Sequence, residues 1–314
     1  MIILVLAVLF KLLFLFYPSE VLAASREGLL LWFNNVLPGL LPFMVIINML
    51  VMLGFAKVMG GFLRPVMGKI FRLPGCAGVP LIVGLTSGFP MGAKTVADLR
   101  RTGELTVKEA QHLVAFCNNA GPIFILGVVG AGLFGSVKIG YILWVGHILA
   151  AILLGIFLRA KKREHFAETK TAQAVEAGKN ICGPCQVLGV AVKNAMESMV
   201  VIGGLIIFFS AVTAALEAVG LPDVGIAGGL ATGLIEVTAG VRDVAFDSGL
   251  INIGGAAFVL GFSGLSVHIQ ALHFLEGTGV KFGPYILAKF AHGFIACFVT
   301  MGLWIIFNNG FPGR

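Results

Sequence analysis

Apolar runs of roughly 20 residues recur along this chain, at about 1–17, 38–56, 77–97, 110–131, 138–158, 199–219, 224–245, 250–272 and 284–307. A run of that length crosses the hydrocarbon core of a bilayer as a helix. Backbone in lipid must satisfy its own hydrogen bonds, which leaves only helices and closed barrels. These runs do not alternate as barrel strands do, so the chain is expected to be an all-α polytopic membrane protein. Composition agrees, with 58% hydrophobic and 12% charged residues, about half the charged share of a soluble domain.

The net charge of +7 then reads as the cytoplasmic excess of Lys and Arg that orients a membrane protein, with no nucleic-acid partner. The sequence contains no P-loop, zinc-protease helix or nucleophile elbow, and no enzyme activity is expected. The N-terminal run looks like a signal peptide, but its first cation, Lys11, lies inside the apolar stretch. A retained transmembrane helix is expected instead. Five cysteines (Cys76, Cys117, Cys182, Cys185 and Cys297) are an odd number and suggest no disulfide framework. Cys182 and Cys185 have redox-pair spacing, but without a βαβ context they read as two reduced thiols in an exposed loop.

A polar basic segment, 159–186, divides the chain. The expected organisation is an N-terminal transmembrane helix (1–25), a first repeat (26–158), this cytoplasmic linker (159–186) and a second repeat (187–314). Each half shows an amphipathic lead-in (Arg26–Val36, Val187–Met199), a helix, two runs broken by Gly, Pro or Thr, and an uninterrupted closing helix. If the first broken run of each half enters and leaves on one side, the number of spans per half is odd. The second half is then inverted relative to the first, as in many secondary transporters.

Charge supports this plan. Lys57, Arg64, Lys69 and Arg72 precede the run at 77–97, Arg100, Arg101 and Lys108 follow it, and Arg159, Lys161, Lys162 and Arg163 open the linker. All three groups are expected to be cytoplasmic. That requires 77–97 to be a re-entrant hairpin, and it places the N-terminus inside and the C-terminus outside. The loop with Asp223, Asp243 and Asp247 then lies outside.

Broken backbone at membrane depth survives only where protein, water or ligand satisfies the freed groups. The four breaks, SGFPMGAK, CNNAGP, GLATGLIEVTAG and FSGLSVHIQ, therefore mark the candidate site, and their half-helix N-termini suit an anion. The substrate-binding residues expected there are Ser87, Gly88, Phe89, Pro90, Gly92, Lys94, Asn118, Asn119, Gly121, Thr232, Glu236, Thr238, Ser263, Ser266, His268 and Gln270. Asn118 and Asn119 offer both donors and acceptors. Lys94 either faces the cavity or reaches the cytoplasmic surface. Glu236 reads as a coupling carboxylate, a cation ligand or the partner of Lys94. His112, His147, His273 and His292 are expected to be packing or interface residues, and Arg100 and Arg101 topology determinants.

The stretch from Gly84 to Gly135 resembles the nucleoside-recognition, or Gate, domain. The carriers of the likeness are Ser87-Gly88-Phe89-Pro90, Gly92-Ala93-Lys94, Gly103-Glu104-Leu105-Thr106 and Ala120-Gly121-Pro122. It is most similar to the form found in sporulation integral membrane proteins. The resemblance implies a fold similar to concentrative nucleoside transporters, with two re-entrant hairpins and two unwound helices around one site. It also implies transport of dipicolinate across the outer forespore membrane. The expected function is secondary transport of a small organic anion. The alternatives are a nucleoside or other small-solute permease and a non-transporting Gate-domain partner. No metal or cofactor is expected; a coupling proton or Na+ and a homo-oligomer stay open.

Overall fold

The computed structural model describes residues 2–159, 184–221 and 225–309. Most of the linker with Cys182, Asp223 and the segment 310–314 lie outside the described residues, as does the side chain of Cys185. The described chain is helical, and five of its helices are long and apolar enough to cross a membrane, or six if one bent pair counts as a span. Many large apolar side chains face outward, among them Phe62, Ile123, Phe157 and Leu287. In a bilayer that surface meets lipid instead of costing solvation.

Helix α1 (Ile2–Phe16) bends at Tyr17 into α2 (Pro18–Leu31). A π-wound turn at Trp32–Val36 carries α2 into α3 (Leu37–Met52). Together α2 and α3 make one 35-residue span, about 52 Å at 1.5 Å per residue. The amphipathic lead-in expected at Arg26–Val36 lies within this helical stretch. An arm, α4 (Phe55–Val66), follows. It joins the first hairpin through an 87° bend.

That hairpin is α5 (Gly78–Thr86) and α6 (Met91–Arg101), joined by the turn Ser87–Pro90. It leaves and returns at the same end of the molecule: the Cys76 thiol lies 3.6 Å from the Glu104 carbonyl oxygen. Helix α7 (Val107–Cys117) starts on a full capping box, with Thr106 and Glu109 each bonding the other's backbone. It stops at Asn118, whose extended backbone (φ −90°, ψ 91°) breaks the helix. The chain resumes as the π-wound α8 (Ile123–Leu133) and turns into α9 (Val137–Phe157).

The second half repeats this order. Helix α10 (Pro184–Ala218) is again 35 residues long. Helices α11 (Ile226–Ile235) and α12 (Val237–Val244) form the second hairpin, tipped by Glu236. Its glycines let the helices touch: a Cβ on Gly240 would strike the Gly233 backbone, and one on Gly229 would strike Val244. Helix α13 (Leu250–Phe262) breaks at Ser263 and Gly264, both with positive φ (82° and 75°), and continues as α14 (Gly264–Leu275). Helix α15 (Phe282–Asn309) closes the half.

The halves share a register. From Cys117 to Phe262, from Val137 to Phe282 and from His147 to His292 the separation is 145 residues each time. The closing helices α9 and α15 pack antiparallel, Gly146 lying against Thr300 and Lys138 beside Trp304 and Asn308. Among the described residues, the arm α4 has no counterpart in the second half.

Candidate functional site

The apolar interior is divided. One cluster holds Leu99, Leu113, Phe116, Cys117, Leu154, Ala271, Phe274 and Tyr285. The other holds Ala120, Ile125, Leu143, Ala150, Val241, Leu260, Val267 and Ala296. Four segments pass from one cluster to the other, and each carries polar side chains at the crossing: Asn118 and Asn119 after α7, His147 on α9, His268 on α14, and Lys289 and His292 on α15. All six are buried, at 0–2% exposure. They form a polar layer between two apolar cores.

The layer is wired. Asn118 Nδ2 donates to the Tyr285 hydroxyl at 2.9 Å, and that hydroxyl lies 3.3 Å from His268 Nδ1. Lys289 Nζ donates to the Asn118 carbonyl at 2.9 Å and lies 3.0 Å from His292 Nδ1. His292 Nε2 is 3.4 Å from the His147 carbonyl, and the two imidazoles sit 4.8 Å apart. The Ala120 N–H, freed by the break, donates to His147 Nε2 at 3.2 Å. When Lys289 is an ammonium it only donates, and in that state His292 Nδ1 accepts and its Nε2 carries the proton. His147 accepts at Nε2, so its proton sits on Nδ1.

Four buried atoms in this layer lack a partner: Asn118 Oδ1, Asn119 Oδ1, His147 Nδ1 and His268 Nε2. Each such group costs about 1–3 kcal/mol until water or a ligand meets it. Lys289 adds an ammonium whose two described partners are a carbonyl and an imidazole, neither of them a carboxylate. The layer thus offers Lys289 Nζ and the His147 Nδ1–H as donors to an anionic ligand, while the two asparagine Oδ1 atoms call for a donor such as water.

The hairpin tips close over the breaks. A Cβ on Gly88 would come within 2.7 Å of Gly121 N, and Phe89 meets Phe124 edge-on at 6.4 Å. A Cβ on Gly84 or Gly92 would strike the Cys117 carbonyl. In the second half a Cβ on Gly264 would approach Val237 N, Gly233 O and Ile235 O. So Ser87, Gly88, Phe89, Pro90, Gly92 and Gly121 gather at one knot. Thr232, Glu236, Thr238 and Ser263 gather at the other, where the Thr232 and Ser263 hydroxyls bond back to Gly228 and Leu260 within their own helices. Ser266 and Gln270 are buried on α14 on either side of His268.

Several expectations are corrected. Lys94 neither faces the layer nor reaches the surface. It donates to Asn48 Oδ1 at 2.6 Å and Asp98 Oδ2 at 2.8 Å, and Asn48 in turn holds the Ala191 carbonyl. Lys94 therefore ties the first hairpin to α3 and α10. Glu236 is not its partner: its carboxylate accepts the Ala239 N–H at 2.7 Å and caps α12. The N-terminus of α12 is accordingly already filled by an acid and is not open to an anion. Arg101 does more than set topology, donating to the Phe274 and Glu276 carbonyls at 2.7 and 3.1 Å. His147 and His292 are members of the polar layer and not packing residues. Lys289 and Tyr285 escaped notice because α15 has no break to draw attention to them. A cation two turns inside an apolar span, with His292 one turn further on the same face, is the signal that identifies them.

A family described as Gate, nucleoside recognition, matches residues 33–137, which contain the first hairpin and the first break. Over 325 aligned positions the chain is 32% identical to the sporulation integral membrane protein YlbJ of Bacillus subtilis (strain 168), covering 92% of this chain and 78% of that protein. The chain belongs to the YlbJ family. No solved structure matches it. Lys289, His292 and Tyr285 lie beyond the Gate match but inside the half of this YlbJ-family chain that repeats its architecture.

Proposed function

We propose that this YlbJ-family protein is a secondary transporter of a small organic anion, and that the anion is dipicolinate (pyridine-2,6-dicarboxylate), moved across the outer forespore membrane. The observation that carries the reading is the polar layer. Lys289 Nζ, with no carboxylate among its described partners and with unpartnered polar atoms in the same layer, stands where the first broken helix loses its backbone pairing. Dipicolinate offers two carboxylates for Lys289 and the imidazole N–H groups. The sporulation setting in the relative's name supports the choice of substrate.

Architecture supports transport. A hairpin that starts and ends at one end of the molecule is what re-entry requires. Antiparallel closing helices in a common register are what an inverted repeat produces. The basic segments also gather at one end, since Arg159 bonds the Ile70 carbonyl and His112 that of Gly155. With that end cytoplasmic, the N-terminus lies inside and the C-terminus outside.

Uptake of labelled dipicolinate into proteoliposomes tests the reading. Wild-type protein should accumulate it, uridine should not compete, and Asn119→Ala should abolish uptake while expressing normally. Uptake no greater than that of empty liposomes would favour a non-transporting Gate-domain partner. Competition by uridine would favour a nucleoside permease.

A further inference from the structure

Lys289 stands at the first helix break, fully buried, with no anionic group described beside it. Helix α7 ends at Cys117, and its terminal carbonyls form the negative pole of a half-helix. Such poles in discontinuous transporter helices hold the coupling cation. Here the Asn118 carbonyl is taken by Nζ of Lys289, 171 residues away, so the chain supplies the cation itself. With the layer empty of ligand, nothing described around that ammonium is anionic. The groups facing it are the Cys117 thiol from α7, His147 from α9, His268 from α14, and Tyr285 and His292 from α15; α13 presents no titratable side chain. A buried cation without a counter-charge is strongly destabilised. An anion in the layer removes that penalty.

We propose that Lys289 is a proton-coupling site: the anion and one proton enter the layer together, and both leave together. This rests on the transporter reading above and adds the coupling ion to it. On loading, a hydronium ion on the open side gives its proton to Nζ: one O–H bond breaks as the N–H bond forms, and water is left behind. His292 Nδ1 and the Asn118 carbonyl orient two of the three N–H groups, leaving the third for a carboxylate oxygen. On the far side the anion departs and the proton is released to water. A tethered ammonium in the cation position also makes transport independent of Na+.

The test is calorimetry of dipicolinate binding to the purified full-length protein, in two buffers of different ionisation enthalpy at one pH. Wild type should take up about one proton per anion bound. Lys289→Met should bind at least about tenfold more weakly, about 1.4 kcal/mol, without proton uptake. Lys289→Arg, which keeps its charge at all working pH values, should bind the anion without taking up a proton. Wild-type binding with no proton uptake would overturn the coupling assignment and leave the transporter reading standing. Proton uptake that persists in Lys289→Arg would place the proton elsewhere and equally overturn it. Absence of dipicolinate binding to wild type would overturn both.

Discussion

At the scale of single residues, two kinds of position define the site. Some contribute chemistry: Lys289, His292, His147, His268 and the asparagine pair carry the polar atoms of the layer. Others contribute the absence of a side chain. Gly88 combines φ of +83° with a Cβ position that would meet Gly121 N and Cα at 2.7 and 2.9 Å. Neither the backbone shape nor the contact tolerates a larger residue. Gly88→Ala is expected to cost about 1–3 kcal/mol and to lower the thermal midpoint in detergent. Gly127→Ala, where a Cβ meets nothing within 4 Å, should leave the midpoint unchanged or raise it. Equal midpoints in the two variants would show that the hairpin tip does not press on the break. Ser263 holds a left-handed backbone (φ 82°) without being glycine, a conformation that costs about 1–3 kcal/mol and concentrates at working sites.

At the scale of elements, hairpins and breaks are the units that place these residues. The first hairpin returns to its starting end, and that geometry has a direct test. In a chain stripped of reactive thiols, single cysteines at the exposed positions Lys69, Thr102 and Lys138 can be labelled with an impermeant reagent. Cysteines replacing Lys69 and Thr102 should react from the same face of the membrane, and one replacing Lys138 from the other. Reaction of the Lys69 and Thr102 positions from opposite faces would mean that the first hairpin crosses. This level was the most legible in the sequence. Gly, Pro and paired Asn residues interrupt otherwise apolar runs at Ser87–Pro90, Asn118–Pro122, Glu236 and Ser263, and the helices end at those places. Local chemistry decides a helix end, so a local reading finds it. It does not decide what a side chain meets. Lys94 stands near a break yet pairs with Asp98 one turn on and with Asn48 across a helix interface. Lys289 stands in an uninterrupted helix yet enters the layer, because α15 packs across the break after α7. Which lysine is central follows from helix packing, and no pattern of punctuation encodes that.

At the scale of the whole molecule, two similar halves meet at one polar layer, sealed at both ends. At one end Arg101 holds the Phe274 and Glu276 carbonyls, and Gln111 exchanges hydrogen bonds with the Lys281 backbone. At the other, Arg242 bonds Glu217 at 2.8 Å and Lys138 reaches Asn308. The layer's side chains are buried at 0–2% exposure; on the proposed transporter reading, a ligand would reach them only when one end opens. A cleft of about 750 Å3 between Ile269 and Val280 lies at the Arg101 end, next to that latch and away from the layer. On the proposed function the anion sits in the layer and not in this cleft, and a cryo-EM map of the protein with dipicolinate separates the two. Ligand density is expected between the two helix breaks, with a carboxylate within hydrogen-bond distance of Lys289 Nζ and further contacts to His268, His147 or Asn119. Density confined to the Ile269–Val280 cleft, with the polar layer packed shut as before, would contradict it.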